Sequence, residues 1–438
     1  MAVHFFHTSD WHLGQLFFHY PRDFEHQQFL NWLIAQLAEQ QPDALLIAGD
    51  IYDTVNPSAH AQKQLYEFIA KAHAIAPHLQ ILMIAGNHDS GYRIEQVAPL
   101  LSKYQTQAIG TIEWQTSQQE KTNDKENHQN TQNKTEKILN TEKLIVPIYN
   151  REQQIVAWVV ALPYLRSAEI TGFNRQTEQH DSAIAYIHSQ LIATARNLCQ
   201  PHQALIVMSH AHLQGGEVSE SERPIVIGNE DALSIQLFGD GVDYVALGHL
   251  HKPQKVKYPH IRYSGSPIPL SLSEKKYQHQ VLSVKIDPTQ DTEHRIEMNA
   301  LHIPRSVEIL HIRGEIDDIL QQLSELPSQP RPLQQRDYVY VEYQCEGPTP
   351  LDLRHKIENN LVPDSYRLLK IQRTSKQIKQ TESPQHTDID MVAPTPQQLF
   401  RTIWEKNYSA DQQVYQDFDS LVEPATHALQ EQQGNKKV

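Results

Sequence analysis

Residues 43–53 read DALLIAGDIYD, and the architecture follows outward from them. The apolar run 44–48 ends at Gly49, and a carboxylate, Asp50, comes next. An unbroken apolar run this short, closed by a turn residue, is the pattern of a strand buried on both faces. The same design appears upstream in VHFFHTSDWH (3–12) and downstream in ILMIAGNHDS (81–90). Between the runs lie amphipathic stretches that predict helices over residues 22–39 and 60–74. Strands alternating with helices give an α/β domain. It continues through IVAWVVALPY (155–164), ALIVMSH (204–210), VDYVALGHLH (242–251) and IRYSGS (261–266), and closes with QVLSVKI (280–286), so the first domain is expected over 1–285. Polar, chemically capable residues sit at the carboxyl ends of these runs, where open α/β sheets place ligands.

Beyond this domain the pattern changes. Residues 115–143 are nearly devoid of apolar side chains and read as a mobile polar surface insertion. Residues 290–375 carry RSVEILHIRG, YVYVEYQ and YRLLKIQR, with helices expected at 316–323 and 351–360, which makes a small α+β domain. Residues 376–394 are a polar linker. In 395–438, Thr395 and Pro396 open a helix whose Leu399, Phe400, Ile403 and Trp404 share one face. That face either packs on the body or docks a partner, and the polar linker ahead of it favours docking.

The chain has 438 residues and a formal charge of −14, with 39% apolar and 21% charged residues. No run reaches the roughly 18 apolar residues of a membrane span, and the start MAVHFFHTSD lacks a secretory pattern, so a cytoplasmic location is expected. Cys199 and Cys345, far apart, support neither a disulfide framework nor a zinc site, and are expected to be buried thiols. The acidic balance argues against a broad DNA-binding face of its own, unless bound cations or a basic partner offset it. Of 25 histidines, His19, His73, His78, His180 and His188 lie in polar, helix-like stretches and are expected at the surface. No GxxxxGK[ST] loop is present, so any ATP dependence must come from another chain.

Five other histidines fall among the residues that carry the chemistry. Asp10 and His12, one residue apart at a strand end, point the same way. Asp50 leaves the second strand, Asn87 and His88 the third, His210 the strand ALIVMS, and His249 with His251 the strand YVALG. Carboxylate, amide and imidazole without thiolate suit divalent cations of the manganese or iron type. So many ligands call for two ions about 3.5–4 Å apart, the arrangement that hydrolyses phosphate esters. His212 competes with His210 but does not directly follow the strand. Arg166 suits either a phosphate or a structural ion pair.

The ordered motifs D-x-H, G-D, G-N-H-D, H and G-H-x-H resemble those of the calcineurin-like metallophosphoesterase superfamily. Within it HTSDWHLG, AGDIYD, AGNHDS, ALPYLR, ALGHLHKPQ, YSGSPIPLS and TPQQLFRTIW are similar to the bacterial SbcD nuclease subunits. The resemblance implies a four-layer αββα sandwich with a smaller α+β capping domain over the DNA groove and a C-terminal helical segment. It implies that Asp10, His12, Asp50 and His251 hold one metal, and that Asp50 as bridge, Asn87, His210 and His249 hold a second, the pair most suited to manganese. His88 would then act on the leaving oxygen, with Asp53 as an orienter beside it. It further implies a DNA exonuclease and endonuclease of DNA repair, recombination and replication, forming a homodimer within a heterotetramer that includes a coiled-coil ATPase resembling SbcC. The basic run Arg367, Lys370, Arg373, Lys376 and Lys379 either contacts DNA phosphates or is a solvated stretch. Two rivals share the motifs: a stand-alone metallophosphoesterase acting on nucleotides or phosphoproteins, and a DNA-end scaffold without catalysis. The second domain and terminal helix weigh against the first, the complete ligand set against the second.

Overall fold

The computed structural model describes residues 2–117, 136–170, 183–222, 232–291, 293–345 and 348–374, together with 404, 413–415 and 418. Residues 1–375 form one compact unit and 376–438 another. The expected linker and docking segment fall almost wholly outside the described residues, as does His180.

Two six-stranded sheets pack face to face in the first unit. The first runs in the order Ile296–His302, Gln280–Ile286, Val3–Thr8, Ala44–Ala48, Gln80–Ile84, Thr106–Ile109. The second runs Gln254–Val256, Tyr258–Tyr263, Tyr244–Gly248, Ala204–His210, Ile155–Leu162, Ile145–Tyr149. Alternation along each strand sorts the apolar side chains. Phe5, Leu46, Leu82 and Ile84 point inward and join Val159, Val207 and Ala246 of the second sheet in one buried cluster. Phe6, Leu45, Ile47 and Met83 point outward beneath Leu33 of the helix Asp23–Gln40 and Phe68 of the helix Ala59–Ile75. On the far side, Ile187, Leu191 and Ala195 of the helix Ala183–Leu198 cover the second sheet. The layers are therefore αββα. The Ala59–Ile75 helix starts where Ser58 accepts the Ala61 N–H at 3.1 Å, satisfying one of its unpaired first-turn donors. The sheets meet closely at Gly248, where a Cβ would lie 1.8 Å from Ala48 O, so no other residue fits there.

The first sheet continues past residue 285. IEMNALH (296–302) pairs along its whole length with QVLSVKI, but as a half-exposed edge strand it carries little apolar signal in the sequence. At the polar insertion, Trp114–Ser117 and Glu136–Leu139 pair antiparallel, and Lys143 binds Glu95 at 2.7 Å and Glu113 at 3.0 Å. Residues 118–135 lie outside the described residues.

After Val307 a β-α-β-α-β unit follows: Ile309–Glu315, Ile316–Ser324, Asp337–Gln344, Leu353–Asn360 and Tyr366–Arg373. Its three strands pair parallel through helical crossovers in the region where the sequence pattern suggests a small α+β domain. Phe17, Val307, Ile309, Tyr338 and Leu369 join it to the αββα sandwich. At the joint Tyr338 donates to Glu25 Oε1 at 2.9 Å, Arg22 pairs with the same carboxylate, and the Arg367 guanidinium lies 3.8 Å from the Tyr338 ring centroid. Arg367 is thus buried and cannot contact phosphates from the surface, although Lys370 and Arg373 remain exposed. Lys376 and Lys379 lie outside the described residues.

Two further expectations change. His188 is buried, with Nδ1 donating to Ile184 O at 2.9 Å. Cys199 and Cys345 are only half-buried. Among the described residues no helix is long and apolar enough to cross a membrane.

Candidate metal centre

The loops after the first two strands are laced together. Asp10 N–H donates to Gly49 O and His12 N–H to Asp50 O, both at 3.0 Å. Asp10, His12, Asp50 and His249 have φ of 54°, 46°, 49° and 104°. Non-glycine residues rarely enter this region, which costs on the order of 1–3 kcal/mol each and persists only where the surroundings enforce it. Four strained residues at one place, all singled out from the sequence, mark the site.

Their side chains converge. Ligand atoms of Asp10, His12 and His251 lie within 4.8 Å of one another, as do those of His12, Asp50 and His88, and those of Asp10, Asp50 and His210. The three groups share members and form one buried cluster with Asp50 at its centre. His12 Nε2 and His210 Nε2 approach Asp50 Oδ2 at 3.5 Å each, a spacing suited to converging on shared cations. Asn87 Oδ1 lies 2.9 Å from His210 Nε2. The His249 ring centroid lies 5.5 Å from that of His210, and the His249 backbone N–H donates to Asp10 Oδ1 at 2.9 Å. His12 Nε2 is buried with no hydrogen-bond partner, which is costly for a polar atom that lacks a ligand. An all-nitrogen-and-oxygen donor set with an orphaned imidazole nitrogen fits divalent cations.

Three of the rings are held from behind, an arrangement common among imidazoles that bind metals. His210 Nδ1 donates to Ala48 O at 2.9 Å, and His88 Nδ1 to Asp53 O at 2.8 Å. His12 Nδ1 faces Asp53 Oδ1 at 3.3 Å. His88 N–H donates to Asp50 Oδ1 at 2.8 Å, and Ser9 Oγ to Asp10 Oδ2 at 2.6 Å. The Asp89 carboxylate accepts from the N–H groups of Ile51, Tyr52 and Gly86 at 3.0, 2.9 and 2.9 Å, stapling the Asp50 loop to the Asn87 loop.

The cluster's own charges are unbalanced. Burial pushes the Asp50 carboxyl up, but His210, His12 and His88 outweigh it and hold the group well below the usual range. Burial pushes His210 down, yet Asp50 and Asp10 raise it to about 9. His251 also rises to about 9, because Glu274 and Asp10 outweigh its burial. Burial lifts Asp10, and burial with the Asp50 charge lifts Asp89 to about 6. Burial and the neighbouring His210 press His249 well down. The surrounding carboxylates thus favour a proton on His210 and on His251, and a cation binding to either ring would compete with it.

Of the residues expected from sequence, Asp10, His12, Asp50, His88, His210 and His251 fall in the cluster, while Asn87 and His249 adjoin it through His210. Asp53 stands one contact out. His212 lies outside, half-buried, its ring centroid 6.1 Å from that of His249. Arg166 donates to Asp89 O and lies 5.6 Å from the Tyr164 ring centroid, so here it braces a loop. Sequence reasoning missed the roles of Asp89, Ser9 and Glu274. Asp89 was visible as the last residue of GNHD, whereas Glu274 sits in SLSEKK without a local signal.

A profile of the calcineurin-like phosphoesterase family matches residues 3–253, and one described as the type 5 capsule protein repressor C-terminal domain matches 305–408. The SbcD component of the nuclease SbcCD from Rhodobacter capsulatus is 31% identical over 352 residues, covering 78% of this chain and 80% of that protein. Its Escherichia coli K12 counterpart is 30% identical over 333 residues, 73% of each chain. Among solved structures, a Staphylococcus aureus protein provisionally described as a 5'-nucleotidase matches 69% of this chain and 54% of its own at 14% identity. Its TM-score of 0.36 is too low to carry an argument.

Proposed function

This chain belongs to the calcineurin-like phosphoesterases and, within them, to the SbcD nuclease subunits, and from that premise we propose that it cleaves DNA by two-metal phosphodiester hydrolysis. The observation that carries this reading is the central position of Asp50, whose one carboxylate oxygen lies between His12 and His210 at 3.5 Å from each. Asp10, His12 and His251 would hold one cation beside it, and Asn87, His210 and His249 the other. A manganese pair held by these residues would supply an activated water and neutralise phosphate charge.

The chain's own residues do the rest. His88, with Nδ1 held by Asp53 O, presents Nε2 as the proton donor to the leaving 3′ oxygen. Asp53 keeps both His88 and His12 in place, through its carbonyl and its carboxylate respectively. The β-α-β-α-β domain, anchored on Glu25 through Tyr338, caps the groove that receives DNA.

The substrates are DNA ends and hairpins, cut as a 3′-to-5′ exonuclease on double strands and an endonuclease on single strands. With a charge of −14, the chain depends on a partner for much of the phosphate-binding surface. That partner is a coiled-coil ATPase resembling SbcC, docked by residues 395–438 in a heterotetramer with two copies of this chain. Manganese-dependent digestion of hairpin DNA, a cyclic dinucleotide and a phosphopeptide in parallel tests the substrate class. Cleavage of the hairpin alone is expected; preference for either small substrate would overturn the nuclease reading.

A further inference from the structure

Glu274 is wholly buried in the 3-10 turn Ser273–Lys276, outside every motif that marks the site. Its Oε1 accepts from His251 Nδ1 at 3.1 Å, Ser219 Oγ at 2.9 Å, Ser271 Oγ at 3.2 Å and also from Ser221 Oγ, a hydroxyl that itself meets His251 Nδ1 at 2.7 Å and so links the ring to the carboxylate a second way. Its Oε2 accepts from Leu270 N–H at 2.8 Å and Ser266 Oγ at 3.3 Å. The turn is braced from the second domain as well, since Lys275 Nζ meets His311 Nδ1 at 2.6 Å and His311 Nε2 donates to Glu342 at 2.7 Å.

An imidazole whose Nδ1–H donates to a carboxylate is fixed in one tautomer and one ring orientation, with Nε2 left to coordinate. His210 gets the same service from a backbone carbonyl, Ala48 O. The two cation sites therefore rest on different anchors, one of them a replaceable side chain. We propose that Glu274 is a positioning residue for the Asp10–His12–His251 cation alone, holding the His251 ring and strengthening its bond to the ion. The inference rests on the reading of His251 as a metal ligand.

Glu274→Gln is the discriminating variant, because glutamine keeps the size yet cannot serve both sides. With its oxygen toward His251 its amide N–H opposes Leu270 N–H, and the flipped amide opposes His251 Nδ1–H. Ser266→Ala removes a different bond to the same carboxylate and serves as the packing control. The metal-stripped full chain is titrated with Mn2+ by calorimetry and by electron paramagnetic resonance, with the melting point of the metal-free protein as the folding readout. Wild type should take up two ions with a coupled spectrum. In E274Q one affinity should fall about 10- to 100-fold while the other holds, giving the spectrum of an isolated ion at one equivalent; S266A should keep both. If E274Q does not fold, Glu274→Asp, which retains the charge on a shorter arm, should show the same one-site loss. Two unchanged affinities in the glutamate variant, or equal weakening of both, would overturn the inference with the metal centre intact. Failure of wild type to bind manganese would overturn both.

Discussion

Gly86→Ala should disable the site through a single methyl group. A Cβ at position 86 would lie 2.1 Å from Asp50 Oδ1 and 2.3 Å from Asp50 N, where contacts under 3.0 Å are essentially never seen. Rotating the Asp50 side chain relieves only the first clash, because the second is with backbone. The two loops must therefore part by about 1 Å, since close-packed interiors offer no slack. That movement stretches the 2.8 Å bond from His88 N–H to Asp50 Oδ1 and carries the carboxylate away from His12 and His210. A 1 Å displacement of a catalytic constellation costs roughly 100-fold in rate, or about 2.7 kcal/mol of barrier. Overpacking adds about 1–3 kcal/mol of destabilisation. Single-strand DNA cleavage with manganese, metal content and melting temperature should all be measured on the purified variant. A wild-type rate with full metal content would refute the claim that the Asp50 carboxylate must stand where it does.

Further expectations follow from the same geometry. His88→Ala should lower cleavage by about 100- to 10,000-fold, the usual weight of a general acid, while leaving metal content near normal; unchanged cleavage would remove its catalytic role. Buried His7 and His26 are pushed down to about 3, and His188 and His279 to about 4, chiefly by burial. The unfolded chain, with imidazoles near 6.5, binds more protons between pH 6.5 and these folded values, so stability falls as pH drops through that window, by up to a few kcal/mol per group. A urea midpoint unchanged from pH 7 to pH 5 would contradict this. Deleting residues 395–438 should abolish co-purification with the partner ATPase while manganese-dependent cutting of single strands persists; retained co-purification would place docking elsewhere.

Much of the candidate site was legible because the side chains that cluster there sit on strand ends next to one another in the chain. Asp10 with His12, Asn87 with His88 and His249 with His251 are each neighbours, so a turn and its chemistry appear in the same few letters. The sandwich was legible for a related reason: strands buried on both faces, such as ALLIA, are unbroken apolar runs. What failed depended on distant partners. Glu274 gains meaning only from His251, and Arg367 is buried only because Tyr338 and Glu25 meet it at the domain joint. His188 was the more avoidable miss. It falls between Ile187 and Leu191 on the buried stripe of its helix, and Ser209 approaches its Nε2 at 3.4 Å. The edge strand IEMNALH stayed hidden because one side faces solvent, which erases the apolar run without erasing the pairing.

The most direct test is an anomalous-scattering map from crystals of the full chain grown with manganese. Two peaks about 3.5–4 Å apart should appear, both within bonding reach of Asp50, one beside His251 and the other beside His210. A lone peak, or a pair that leaves Asp50 untouched, would contradict the two-cation centre.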